Sequence, residues 1–471
     1  MRRVTTLLLL VFAVAAHAAT DQEIAARAGE YLATRTEMGA FSGAVLIVRD
    51  GKVLLRRGYG YADVEARKPF TPDTRFEVAS ISKMFTSMAA LKLRDAGKLK
   101  LDDPLCKYID SCPDAWQPIT IQEVMRHTSG LPDYEEVLDL GSPKYLQFMT
   151  KPDSSRRIIE EAKKKPLDFA PGTKFNYSNT GYIALAFAIE KAAGEPFARY
   201  VRERILGPAG MSHSGVLGTG EAPKDLAFGY THEDLGWKAS LAGVPLADEH
   251  LQRRPMLALT PPAGDAWLYS TVDDLYRWST IMDGSALVPR KEADEVFTAG
   301  IGNYGYGWFV DTSLGHRRYR HTGALPGYVS QLIKFPDDKI TIVILSNLDR
   351  APMMHTARNI SMIALGQPYD PPVRGKVVTL DAAQIHALEG EFKMEDGTPL
   401  TIHNSPRFLE ADMKGFFTAG LIPLSPTRFY MPLSDGVVTF TLDANGIAQK
   451  VNLHYSAQDH IATRAGSPAA E

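Results

Sequence analysis

The sequence predicts a mixed α/β (α+β) protein in two parts: a large domain of interleaved helices and strands, then a small antiparallel β domain. Three observations carry this. The chain has 471 residues, more than one average domain holds. Up to about residue 365, runs of helical period alternate with short β-branched or alternating runs. After the proline-rich stretch Gly366-Gln367-Pro368 to Pro371-Pro372, only period-two runs and turn dipeptides follow.

Taken in order, the chain opens with Arg2 and Arg3, the apolar run Leu7 to Ala16 and the small-residue site Ala16-His17-Ala18. That pattern reads as a cleavable export signal over residues 1–18, too short to span a bilayer. No cysteine follows it to take a lipid anchor, and no later run reaches membrane-spanning length. The mature protein is expected to be periplasmic or secreted, with no transmembrane anchor. Asp21 to Thr36 reads as a helix. Ser42 to Val48 and Val53 to Tyr59 read as strands joined by the hairpin dipeptide Asp50-Gly51. A helix carrying Met84, Met88 and Leu91 at helical spacing follows, with Gly97 as its stop. Cys106 and Cys112 are the two cysteines; in an oxidising compartment their spacing permits a small loop-closing disulfide.

Further on, Ser270-Thr271-Val272-Asp273-Asp274 reads as a capped helix start before Leu275 and Trp278. Arg320 to Thr322, Ser330 to Lys334 and Ile340 to Leu345 read as strands, and Arg350 to Leu365 as a last helix. Residues 367–375 form a linker. In 376–464, Asp396-Gly397 and Asn445-Gly446 punctuate alternating runs such as Val437 to Leu442 and Ile447 to His454, which makes a small β domain, partial barrel included. Residues 465–471 read as a disordered tail. The large domain is accordingly assigned to residues 19–366.

Composition narrows the function. The 52 basic and 55 acidic residues are well mixed and net charge is −3, which leaves no nucleic-acid footprint. Ser80-Ile81-Ser82-Lys83 is the only Ser-x-x-Lys in the chain. At a helix start, that spacing puts a hydroxyl and an amine one turn apart on one face. A lysine held neutral by burial can then take the serine proton, the serine-lysine variant of triad chemistry. Tyr177-Ser178-Asn179 sits in a turn-rich stretch after Pro171-Gly172. A tyrosine beside a lysine can lose or relay a proton, because a neighbouring cation favours phenolate. Asn179 can donate to a substrate carbonyl and hold the lysine. In His321-Thr322-Gly323-Ala324, the glycine lets another backbone approach, and the Ala324 N–H can serve an oxyanion hole. No Gly-x-Ser-x-Gly, no His-Glu-x-x-His and no phosphate-binding glycine loop occurs. A cofactor-free, metal-free acyl-transfer enzyme is the reading that is left.

The order Ser-x-x-Lys, Tyr-x-Asn, His-Thr-Gly resembles the serine β-lactamase and penicillin-binding-protein-like hydrolases. The similarity is to the branch with class C β-lactamases, D-aminopeptidases, D,D-carboxypeptidases and related esterases. Leu101-Asp102-Asp103-Pro104, Ile119-Thr120-Ile121, His127-Thr128-Ser129-Gly130-Leu131 and Tyr269-Ser270-Thr271 resemble family stretches too, and the similarity covers residues 22–365. It implies an antiparallel sheet flanked by helices with an all-helical region. It also implies Ser80 as nucleophile, Lys83 as base, Tyr177 in proton transfer, Asn179 orienting substrate, and the N–H groups of Ser80 and Ala324 as oxyanion hole. His321, Thr322 and Gly323 would line the substrate edge. Where the family often carries lysine, this chain carries His321, a titrating rather than a fixed cation, which favours esterase or D-peptidase activity over a strong β-lactamase. If His321 contacts a substrate carboxylate, binding of acidic substrates should improve as pH falls toward about 6.5. His127 reads as structural. The expected partner is a small-molecule or short peptide substrate, peptidoglycan-derived peptides included. Cleft shape falls to loops such as Asp133 to Lys151 and Gly218 to Pro262. A catalytically silent binder of cell-wall peptides is the alternative; joint retention of Ser80, Lys83, Tyr177 and Asn179 argues for the enzyme.

Overall fold

A computed structural model describes residues 19–466 apart from 139–147, 149–150, 152, 219–221, 233–250, 255–262, 286, 350–351, 406–408, 414–416, 432–433 and 456–457. The expected signal segment 1–18, most of the tail, Arg350 and much of both cleft loops lie outside the described residues. The mixed α/β class holds. The large domain is built on a six-stranded antiparallel sheet. Its strands are β1 (Gly43–Arg49), β2 (Lys52–Tyr59), β3 (Phe309–Ser313), β4 (His316–Leu325), β5 (Tyr328–Phe335) and β6 (Ile340–Ser346), in the order β3-β4-β5-β6-β1-β2. An early and a late segment of this domain thus meet at the β6–β1 pair, where Leu46 lies opposite Val343.

Period-two geometry explains why β1 reads as an unbroken apolar run. Ala44, Leu46 and Val48 enter the core shared with the helical region, while Val45 and Ile47 enter the core on the other face. That second face is covered by α1 (Asp21–Glu37) and by a late helix at Met353–Ala364. α1 starts at a Thr20–Glu23 capping box. The hairpin between β1 and β2 turns at Asp50 (φ 50°) and Gly51 (φ 76°), both left-handed, as a two-residue turn that follows strand twist requires.

On the first face lies α2 (Ser82–Asp95), buried on almost every side, so that its polar residues Ser82, Lys83, Thr86 and Ser87 are interior. Packed against it is α3 (Asn179–Ala193), capped by the Ser178 hydroxyl and closed by Gly194 at φ 72°. α4 (Val272–Ile281) begins at Thr271, whose hydroxyl accepts from Asp274 N–H. α5 is the helix Met353–Ala364 named above. Cys106 and Cys112 are paired, with their Cα atoms 5.4 Å apart.

Beyond residue 366 the chain crosses to a short helix, α6 (Ala382–Leu388), and then to eight antiparallel strands. These are β7 (Gly390–Met394), β8 (Pro399–Asn404), β9 (Leu409–Met413), β10 (Phe417–Ser425), β11 (Arg428–Met431), β12 (Gly436–Leu442), β13 (Ala448–Tyr455) and β14 (Gln458–Arg464). β7 pairs with β14, so the barrel is closed rather than partial. Its interior is filled by Phe392, Leu400, Leu421, Phe440 and Leu453.

Candidate active site

Ser80 is presented by a strained backbone. Ala79, immediately before it, sits at φ 49°, a left-handed conformation that a residue with a Cβ seldom adopts. The one-turn 3₁₀ helix Ala79–Ile81 then runs directly into α2. This brings Lys83 back over Ser80, and the Lys83 amine is 3.1 Å from the Ser80 Oγ. The amine also donates to Asn179 Oδ1 at 2.7 Å and to the Asp265 backbone carbonyl at 2.8 Å. Its side chain is fully buried, and burial pulls its pKa down to about 8, with Asp265, Asp133 and Glu135 pushing back upward. A minor but usable fraction of Lys83, on the order of a tenth at pH 7, is therefore neutral.

Tyr177 pairs with the Ser80 hydroxyl, and its ring lies 4.8 Å from the Lys83 amine. The expectation that a nearby cation favours phenolate is overturned. Burial dominates and holds the Tyr177 hydroxyl well above the usual tyrosine range. Tyr177 is a neutral donor and relay, not a resting anion. The Tyr177 ring stacks on His127 at 4.1 Å. His127 Nδ1 accepts from the Ser178 N–H at 3.0 Å. Because a backbone N–H can only donate, Nδ1 is bare and the imidazole is neutral; burial pushes its pKa well below the usual histidine range. His127 thereby holds the Tyr177–Asn179 turn, through Ser178 and ring packing.

Asn179, the first residue of α3, is fixed by Asp133. The Asn179 backbone N–H donates to Asp133 Oδ2 at 2.8 Å, and the side-chain Nδ2 donates to it at 3.1 Å. Only the Nδ2 of an amide can donate, so these bonds turn Oδ1 toward Lys83. Strand β4 closes the other side. Gly323 is opposite Ser330 on β5, and a Cβ on it would fall 2.3 Å from the Val78 carbonyl. The missing side chain is what lets the edge strand reach the nucleophile segment. Period-two alternation turns His321 and Gly323 inward, leaves Thr322 half-buried and leaves Ala324 exposed.

His321 therefore does not behave as a titrating edge residue. It is 1% exposed; its Nδ1–H donates to the Thr322 carbonyl at 2.6 Å and its Nε2 pairs with the Tyr304 hydroxyl at 2.9 Å. Burial, then Lys83, lower its pKa to about 3. It stays neutral across the physiological range, and the expected gain for acidic substrates near pH 6.5 loses its basis.

The beta-lactamase family profile matches residues 26–367. The chain belongs to the beta-lactamase family. Members of this family are serine hydrolases, and this chain is an enzyme of that class. It is 29% identical over 431 residues to penicillin-binding protein 4* of Bacillus subtilis, covering 87% of this chain and 92% of that one. It is 30% identical over 341 residues to the D-aminopeptidase of Brucella canis, covering 71% of this chain and 61% of that one. In fold it is similar to the octameric penicillin-binding protein homologue from Pyrococcus abyssi, with a TM-score of 0.62, 24% identity and coverage of 89% and 95%.

Within this family site, several residues had no signal strong enough to be singled out from sequence. Asp133 follows the quoted His127–Leu131 stretch and is a helix N-cap by type, with its carboxylate accepting from Glu135 N–H. Asp265, Glu135 and Tyr304 are isolated in sequence, and only the packing of distant segments brings them to Lys83 and His321. Among the described residues no group of His, Cys, Asp and Glu could hold a metal ion.

Proposed function

We propose that the protein is an exported serine hydrolase working through an acyl-Ser80 intermediate on small esters, amides or D-amino-acid peptides. The observation that carries this is the buried Lys83 amine, 3.1 Å from the Ser80 Oγ and lowered to about 8. Neutral Lys83 takes the Ser80 proton as Oγ attacks the substrate carbonyl, forming the new C–O bond. Ala79 and Gly323 bring the N–H groups of Ser80 and Ala324 to the place where the carbonyl oxygen gains charge. The proton passes through Tyr177 to the leaving amine or alkoxide, and the C–N or C–O bond breaks. Water then cleaves the acyl-enzyme with the same groups working in reverse.

Esters and amides are favoured over β-lactams because His321 supplies no cation for a β-lactam carboxylate. Peptidoglycan-type D-amino-acid peptides fall within the same reading, in line with the D-aminopeptidase relative. Residues 1–18 are read as the export signal on sequence grounds, and N-terminal sequencing of the exported protein near Ala19 checks it. The decisive experiment labels the purified mature protein with a fluorophosphonate. It then tests a nitrophenyl ester, a chromogenic cephalosporin and D-amino-acid amides. Labelling at Ser80 with ester or amide turnover is expected. Absence of both labelling and turnover would return the chain to the silent-binder alternative.

A further inference from the structure

Antiparallel alternation fixes what the edge of β4 can offer a substrate. Leu325 and Tyr328 flank a two-residue turn, and so do Ser313 and His316 on the β3 side. Residues flanking such a turn exchange hydrogen bonds, and bonded pairs then recur at every second residue. Counted from Leu325, the backbone groups of Gly323 and His321 go to β5. Counted from His316, those of Arg318 and Arg320 go to β3, whose pairing stops at Phe309 opposite Arg320. The N–H and C=O groups of Thr322 and Ala324 are left on the outer edge, and among the described residues no strand pairs with them there.

These two residues are not equally available. Ala324 is exposed. The Thr322 carbonyl, by contrast, is occupied by the His321 Nδ1–H at 2.6 Å. A carbonyl can only accept, so that contact needs the ring proton on Nδ1. The Tyr304 hydroxyl, 2.9 Å from Nε2, secures this, because it can donate only to a bare Nε2. Tyr304 is held in turn: it is fully buried, with its ring against His127 at 4.6 Å and Phe309 at 4.8 Å.

We propose that Tyr304 is a positioning residue that fixes the His321 tautomer, and that His321 thereby caps the Thr322 carbonyl against the leaving group of the substrate. This rests on the acyl-Ser80 reading and adds a specificity element to it. With the scissile carbonyl on the Ala324 N–H, the acyl residue exchanges its hydrogen bonds with Ala324. That sets the substrate antiparallel to β4 and brings the second residue of the leaving group opposite Thr322. The N–H of that residue meets a carbonyl already taken. On the acyl side the edge ends at Pro326, which has no N–H, in the Pro326-Gly327 turn. The edge therefore reads one substrate residue, and a second leaving-group N–H adds nothing to binding.

The test uses N-acetyl-D-alanyl-glycyl-glycine dimethylamide and its analogue with sarcosine as the last residue, in which N–CH3 replaces the N–H in question. Each is measured as a substrate, by kcat/KM, and as a competitive inhibitor of p-nitrophenyl butyrate turnover, by Ki. The proteins are the mature wild type, His321→Phe, which keeps a ring but no donor, and Tyr304→Phe, which keeps the packing but frees the tautomer. Wild type should treat the two peptides alike, within about twofold. His321→Phe should prefer the glycine peptide by about threefold to tenfold, the size of one neutral hydrogen bond. Tyr304→Phe should fall between them. Circular dichroism checks that both variants are folded, and a merely structural role would weaken both peptides equally. A wild type that already prefers the glycine peptide as strongly as His321→Phe does would overturn the proposal. So would a folded His321→Phe with an unchanged ratio, absence of binding by either peptide in all three proteins included. Tyr304→Phe identical to wild type would overturn the part given to Tyr304. In each of those cases fluorophosphonate labelling of Ser80 and butyrate turnover would still stand. Loss of both in the wild type would instead strike the hydrolase reading.

Discussion

At the residue scale, burial pushes the titratable groups of the site toward their uncharged forms, completely for the histidines and the tyrosine and in part for Lys83. Lys83, His127, Tyr177 and His321 all lie within one hydrogen-bonded and ring-packed cluster, and each is shifted toward its uncharged form. Ser80→Ala removes the nucleophile and should lower kcat by on the order of 10³ or more while leaving the fold intact. Residual activity above a tenth of wild type would contradict the assignment. The pH dependence follows from Lys83. Its active form is the neutral amine, so kcat/KM for an uncharged ester should rise with pH and level off above about 8. No limb should appear near 6.5, because His321 stays neutral down to about 3. A profile measured on p-nitrophenyl butyrate from pH 5 to 10 checks both statements.

At the scale of the element, the approach of β4 to the 3₁₀ turn is the contact that builds the oxyanion side. Gly323→Ala would place a Cβ 2.3 Å from both the Val78 carbonyl oxygen and Ser330 Oγ. Neither the turn nor β5 can yield freely, so β4 must move outward. Overpacking of this kind costs about 1–3 kcal/mol. The expected result is a larger loss in kcat than in KM, together with a lowered unfolding midpoint in urea. The Cys106–Cys112 bridge acts locally on a loop of sequence separation 6. On chain-entropy grounds it contributes about 2 kcal/mol. Reduction should add two hydrogens to the intact mass and lower Tm without altering kcat, since neither sulfur touches the site.

At the scale of the whole molecule, the barrel is joined to the large domain through a buried charge. Arg35 of α1 pairs with Asp435, just before β12, and neither side chain is exposed to solvent. Tyr31 donates to the same carboxylate at 2.6 Å, and His355 of α5 lies 3.2 Å away. Burial alone would raise the Asp435 carboxyl; Arg35, with His355 and Tyr31, overrides it and holds it at about 2. Its contribution to stability is therefore complete above the unfolded value of 3.8 and is lost as pH falls through about 2. Asp435→Ala leaves a buried guanidinium unpaired and should cost about 3–5 kcal/mol. Both domains should lose stability together in denaturant unfolding. A single shifted transition is expected; two separate transitions with the large domain unchanged would show that the barrel is not coupled to it.

Much of this protein was legible in the chain itself. The strands around Asp50-Gly51, the capped start at Thr271 and the turns at Asp396-Gly397 and Asn445-Gly446 are local events, set by φ angles and caps that a few neighbouring residues determine. Ser80 and Lys83 belong to the same class, since one helical turn separates them. Tyr177 and Asn179, 94 and 96 residues further on (177 − 83 and 179 − 83), could be joined to that pair only through resemblance. Charge state was decided by tertiary structure alone. His321 beside a basic run reads as a titrating edge residue, yet strand alternation turns it inward to Tyr304, and burial removes its proton. Asp133, Glu135 and Asp265 become a set around Lys83 only once the turns that carry them pack against α2 and α3. Desolvation and through-space fields depend on three-dimensional neighbours, and those neighbours are not neighbours in the sequence.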